Sequence, residues 1–215
     1  MLDVHPPHGS LHGWRDFLIH LLTITIGLFI ALSLEGLLEL HHHSHLVHEA
    51  EASLQTEIRA NAKGLNDVTA DIKSQQAMLK ADVQILKEII KDHKSHKDSS
   101  MEITFHIHGF DNISWKTAQS TGALAYMSYP EAKEYAEIYD TQEKLDVAEH
   151  ETANDAILSV APFMNLTDKD GLTYEEAASI KPHIEVLQGR LELVLSLVNA
   201  LDGEYKKFLA AHPEN

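Results

Sequence analysis

Cysteine is absent from the chain, which excludes disulfides, thiolate zinc sites and cysteine nucleophiles together and leaves the redox compartment open. Cations are scarce as well: 17 Lys+Arg stand against 33 Asp+Glu, a net charge of −16. Nucleic acid is not an expected partner, because phosphate neutralisation needs clustered cations, and anionic lipid surfaces are disfavoured on the same ground. Catalytic signatures are missing too. There is no Gly-rich phosphate loop, no Gly-x-Ser-x-Gly elbow and no His-Glu-x-x-His helix. The acidic pairs Glu149 with Glu151 and Glu175 with Glu176 lack a His three residues on, so a di-iron carboxylate site is not expected and the pairs read as solvated helix faces. No catalytic residue, cofactor or metal ligand set follows from this sequence.

Proline is nearly absent where helices are long: none falls between Leu40 and Asp92. What is present instead is an oily run. From Phe17 to Leu38 only His20 and Glu35 are ionisable, and 22 residues of helix measure about 33 Å against a bilayer core of about 30 Å. Leu18, Ile19, Leu21, Leu22, Ile24, Ile26, Leu28, Phe29, Ile30, Leu32 and Leu34 surround the axis, so the segment lacks the polar face of a helix in a soluble core. A cleaved export signal fits poorly, since the apolar core is too long and "ALSLEGLLEL" offers no Ala-x-Ala site. The expected organisation is a short polar cytoplasmic leader over 1–16, a transmembrane anchor over 17–40 and an acidic extramembrane domain over 41–215. Arg15 precedes the run and the next Lys or Arg is Arg59, which orients the N-terminus to the cytoplasm and the rest to the periplasm of a bacterial inner membrane.

Within the run, His20, Thr23, Gly27, Ala31 and Glu35 follow steps of three, four, four and four and share one helical face. Small residues four apart admit a second helix at backbone distance, and ionisable groups in a span face protein or water. The stripe is therefore expected to contact a partner span, either a larger membrane protein or a second copy; Glu35 could alternatively snorkel to the interface. Just beyond it, His41, His45 and His48 share a face and could ligate zinc or copper or gain charge in mild acid. His93, His96, His106 and His108 form a second, looser group, read as solvated loop residues.

The extramembrane part reads as all-α. Leu54, Ile58, Asn61, Leu65, Val68, Ile72, Gln76, Leu79, Val83, Leu86 and Ile90 recur at steps of three and four, predicting that the anchor continues into a long amphipathic helix with Gly64 as a weak point. After a connector with one short extended segment near Ile103 to Ile107, Ser114 is expected to cap a helix carrying Trp115, Ala118, Gly122 and Leu124 to Met127. Pro130 opens the next helix, with Tyr135, Ile138, Leu145, Thr152 and Ala156 inward, and Pro162 with "NLTDKDG" ends it. Thr173 and Glu176 predict a capping box before a last helix that includes "IEVLQGRLELVLSLVNAL". Its apolar stretch, Leu193 to Leu201, is too short to span a bilayer, and the helices together are expected to form an antiparallel bundle.

The segments "LDVHPPH", "HGWRDFLIH", "TITIGLFIALSLEG" and "HHHSHLVHEAEASL" resemble the N-termini of an uncharacterised family of bacterial single-span membrane proteins, and "SWKTAQSTGALAYM" resembles their middle region. The resemblance covers about half the chain and implies bacterial origin, an inner-membrane anchor and a helical extramembrane domain, with no activity attached. The combined expectation is a non-enzymatic accessory or scaffold subunit that docks on a larger membrane complex, such as a respiratory or photosynthetic assembly, or self-associates through its span. The alternative is a pH- or metal-sensing module built on the juxtamembrane histidines.

Overall fold

A computed structural model describes residues 13–92, 105–160 and 172–213. Among the described residues the protein is all-helical, with no strand: α1 (Trp14–Asp92), α2 (Ile113–Thr121), a 3-10 turn (Ala123–Ala125), α3 (Tyr129–Val160) and α4 (Tyr174–Ala211). The leader 1–12, His93, His96 and the expected turn at 162–171 lie outside the described residues. The chain divides into two units, Met1–His48 and Glu49–Asn215, and α1 runs through Gly64 without a break.

In the second unit most buried residues of the three long helices fall on two rows of seven-residue spacing per helix. On α1 the buried positions include Leu54, Asn61, Val68, Gln75, Asp82 and Ile89 in one row, and Ile58, Leu65, Ile72, Leu79 and Leu86 in the other. On α4 the rows are Ala177, Ile184, Leu191, Val198, Tyr205 and Ile180, Leu187, Val194, Leu201, Phe208. On α3 they are Tyr135, Gln142, Glu149, Ala156 and Ile138, Leu145, Thr152, Ser159. Two apolar rows per seven residues form the narrow seam of coiled-coil-type packing, so the unit is a bundle of three long helices joined along such seams. The expected inward set of α1 is met up to Ile72. Beyond it Gln75 and Ile89 are buried where Gln76 and Ile90 were expected, and Asp82 is buried beside Val83. The reason is register: once the all-aliphatic row is seated, its partner row is buried whatever residues it holds.

Cross-helix contacts fix the directions. Arg59 of α1 donates to the His212 carbonyl at the end of α4 at 2.6 Å, while Lys80 and Val83 border the same groove as Gln188 and Glu192; α1 and α4 are antiparallel. Thr141 meets Glu204 at 3.0 Å and Arg190 meets Asp155 at 3.0 Å, so α3 and α4 are antiparallel as well. Glu57 with Tyr139 at 2.6 Å and Asn61 with Gln142 at 3.5 Å show that α1 and α3 run in the same direction.

That parallel pair requires the chain to return along the bundle between α1 and α3. Residues 105–114 make part of this return against α1: His106 and His108 lie at Asp71, Asp111 at Asn61 and Ser114 at Glu57. Backbone polar groups withdrawn from water need partners. Buried side chains supply them along this half-buried segment and the start of α2: the His108 N–H donates to Glu149, the Asp111 N–H to Asn61 and the Ser114 N–H to Glu57, at 3.0, 3.0 and 2.8 Å. The Asp111 carbonyl accepts from both Asn61 and Gln142 at 2.8 and 3.0 Å. Ser114 is therefore not the cap expected for α2; its N–H is occupied by Glu57, and Asn112 precedes the helix.

Gly122 closes α2 with φ +77°, its N–H donating to the Gln119 carbonyl. The expected run through Gly122 to Met127 is broken there, because the left-handed residue turns the chain into the 3-10 turn. Nothing lies within 4 Å of where a Cβ would stand, so Gly122→Ala introduces backbone strain without a clash. The expected loss is about 1–2 kcal/mol, to be read as a shift in the denaturation midpoint of the bundle at unchanged slope. Pro130 lies in the first turn of α3, where its missing N–H costs nothing. The Thr173–Glu176 capping box is formed in both directions, at 3.3 and 2.8 Å.

Candidate functional site

In the first unit, α1 holds an 18-residue apolar window of which none is buried. Sixteen large apolar side chains between Trp14 and Leu40 are each 43–73% exposed. The hydroxyls in this stretch turn back on their own helix: Thr23 donates to the Ile19 carbonyl, Thr25 to Leu21 and Ser33 to Phe29, at 2.8, 2.8 and 2.7 Å. The exposed Thr56 in the second unit makes the same bond to the Ala52 carbonyl at 2.7 Å, so the exposed apolar surface is what sets this stretch apart. His20, Thr23, Gly27, Ala31 and Glu35 are all exposed along their stripe, and a Cβ on Gly27 would meet nothing within 4 Å.

Glu35, Leu38, Glu39, His41, His42 and His45 line one surface at the end of this stretch. His41 and His45 thus share ground with Glu35, whereas His48, also exposed, is not among the lining residues. Among the described residues no three His, Asp or Glu side chains are placed to hold a metal ion together.

The second unit holds a polar cluster around the return segment. His108 faces a carboxylate at each ring nitrogen: Nε2 stands 3.0 Å from Asp71 Oδ2 on α1, and Nδ1 stands 3.0 Å from Glu149 Oε1 on α3. Asp71 Oδ2 also receives His106 Nδ1 at 2.9 Å and Gln75 Nε2 at 2.8 Å. The Glu149 side chain is 1% exposed. Burial pushes its carboxyl above the ordinary range, opposed by the hydrogen bonds from His108. For Asp71 burial also raises the carboxyl, but the bonds from His106 and Gln75 and the two imidazoles outweigh it and leave it lowered.

This cluster corrects two expectations. Glu149 is not on a solvated face, because it falls on the buried row seven residues after Gln142. His108 is not a solvated loop residue, being 19% exposed and doubly tied, although His106 is 57% exposed. A signal was present in "TFHIHGF": two histidines two apart fall on one side of an extended segment. A second polar cluster crosses all three long helices, with Tyr205 donating to Gln142 at 3.1 Å and Gln142 facing Asn61.

Comparison with protein-family models, with curated proteins and with solved structures gives no match. The described residues define the class: they are all-helical, with one helix among them long and apolar enough to cross a membrane.

Proposed function

We propose that this protein is a bacterial single-pass inner-membrane accessory or scaffold subunit, with a cytoplasmic N-terminus and a periplasmic helical bundle. It acts without catalysis, docking on a larger membrane complex through the face of His20, Thr23, Gly27, Ala31 and Glu35. The observation that carries this reading is the uncovered apolar surface from Trp14 to Leu40. Lipid is the solvent that suits it. Support for a bracing role comes from the bundle: Glu57, Asn61, Gln142 and Glu149 are occupied in holding its own backbone, leaving its outer surface to meet partners.

Alkaline carbonate should leave the protein in the membrane pellet, and release into the supernatant would overturn the anchor. The chain has no native cysteine, so single cysteines at Ser10 and Ser196 report topology directly. An impermeant maleimide should label only the second in intact cells with a permeabilised outer membrane. Replacing Gly27 and Ala31 together by Leu should lower recovery of a co-purifying membrane partner at least tenfold; unchanged recovery would refute the contact face. Zinc or copper binding lost on changing His41, His45 and His48 to Ala would favour the sensing alternative.

A further inference from the structure

We propose that the groove between α1 and α4 beside Lys73, Lys80 and Lys87 is a docking site for an acidic helix of a partner protein, whose carboxylates seat on the three ammonium groups. Every residue of the groove lies in the second unit, so the site stands independently of the membrane anchor and its contact face.

The three lysines fall at seven-residue intervals on α1, which places them on one face with about 10 Å between neighbours. All three are exposed, and they border the groove with Gln76 beside them and Gln188 and Glu192 opposite on α4. Their freedom from partners originates in the sequence. A helix pairs a lysine with a carboxylate three or four residues away, and Lys133, Lys144, Lys181 and Lys206 are paired in this way with Glu137, Asp140, Glu185 and Asp202. No Asp or Glu stands three or four residues from Lys73, Lys80 or Lys87. Among the described residues none of the three has an ion-pair partner on another element either.

The chain carries 33 Asp+Glu against 17 Lys+Arg, so a row of cations kept clear of its own carboxylates makes a local field of opposite sign to the rest of the molecule. Glu192 is the one carboxylate that borders the groove, and the lining keeps a positive excess. Gln76 adds a second demand for an acceptor. Its Nε2 is closed off from solvent and has no hydrogen-bond partner among the described residues, a costly state for a donor. The side chain is partly exposed at the groove, and turning its amide outward would give that donor a carboxylate when the groove is filled.

The form of the occupant follows from the spacing. Carboxylates seven residues apart on a helix laid along the groove keep step with lysines seven residues apart on α1, as flanking charges do in coiled coils. A groove between two packed helices receives a third helix along its length. An extended chain repeats its same-side residues about every 7 Å, out of step with the lysines.

The test uses the full-length protein in neutral-detergent micelles and a fluorescein-labelled helical peptide with glutamates seven residues apart on one face, read by fluorescence anisotropy. The peptide should bind saturably, and the combined variant Lys73→Gln, Lys80→Gln, Lys87→Gln should weaken binding about tenfold, as expected for the loss of three exposed pairs. Helix content checks that this variant is folded. Glu192→Gln should tighten binding about threefold by removing the one repelling charge, a gain that misfolding cannot imitate. Changing Lys63, Lys116 and Lys207 to Gln alters net charge equally and should leave the affinity as it was. Absence of saturable binding, an unchanged affinity in the Lys73, Lys80 and Lys87 variant, or equal binding by a scrambled peptide or by inorganic polyphosphate would overturn the proposal. So would a concentration-dependent dimer of the free protein that this variant abolishes, because it would assign the groove to a second copy of the chain.

Discussion

Glu57→Ala destabilises the bundle by about 3 kcal/mol, the largest loss expected from a single polar residue, because it strands one buried and one half-buried donor at once. The carboxylate accepts from the Tyr139 hydroxyl at 2.6 Å and from the Ser114 N–H at 2.8 Å. It is 8% exposed, and Tyr139 is 4% exposed and stacked on Trp115 at 5.0 Å, so water cannot readily replace the lost acceptor. Each stranded donor costs roughly 1–3 kcal/mol. Burial first, and then the bond to Glu57, push the Tyr139 hydroxyl above the ordinary tyrosine range, so it remains a donor at every pH at which the protein is folded. Glu57→Gln retains one acceptor in the same place and should lose only about 1 kcal/mol. Urea denaturation followed by helix content decides between them: the midpoint should fall much further for Ala than for Gln, at a common slope. Equal losses would show that packing volume, not hydrogen bonding, matters at this position.

The opposite sign is expected at Asp82. It sits on the polar-bearing row of the α1 seam, is 6% exposed, and leaves Oδ2 without a hydrogen-bond partner. Burial pushes its carboxyl from 3.8 up to about 6. A carboxyl raised in the folded state stabilises the fold only while protonated: its contribution is fully present below the unfolded value and is lost as pH rises through about 6. At neutral pH the ionised side chain is therefore a standing cost of about 3 kcal/mol. Asp82→Asn removes the charge and keeps the shape. The variant should be more stable than the wild type by about 1–2 kcal/mol near neutrality, a gain of several degrees in Tm for a domain of this size. The advantage should vanish near pH 4, where both side chains are uncharged. A stability difference that is flat from about pH 4 to 8 would mean that Asp82 is ionised without penalty in the fold.

Both predictions arise from positions that a sequence pattern treats as mistakes. A reader of α1 looking for apolar residues at steps of three and four moves from Gln75 to Gln76 and from Asp82 to Val83, since nothing in either glutamine distinguishes it and valine is the better core residue. The packed helix buries Gln75 rather than Gln76, and it buries Asp82 together with Val83. Ile58, Leu65, Ile72, Leu79 and Leu86 seat one row of the seam, and the other row then buries Asn61, Gln75 and Asp82 as well as Leu54, Val68 and Ile89. Polar groups on such a row reduce stability while fixing register. The layer of Asn61, Gln142 and Tyr205 is bonded across all three long helices, so a shift of any helix by one heptad would break it.

Single residues legible from the sequence were those whose role is local. The Thr173–Glu176 box depends on neighbours three residues apart, and the apolar run from Phe17 depends on composition and length alone. The parts that were not legible depend on distant partners. Ser114 has the chemistry of a cap, but Glu57, 57 residues away in sequence, takes its N–H. Glu149 looks like any surface carboxylate on an acidic helix until Gln142 and Tyr135 are seen to be buried seven and fourteen residues before it.

The sequence by itself determined that this chain is helical, that one stretch is apolar on every side, and where many core residues of α1 and α3 lie, because helical periodicity and side-chain polarity are properties of a segment read alone. Only the tertiary structure decided that α1 and α3 run in the same direction, that residues 105–114 return along α1, and that His108 comes to rest between Asp71 and Glu149. Those outcomes require three segments far apart in the chain to be packed at once, and the satisfaction of buried backbone groups by particular side chains exists only after they have been.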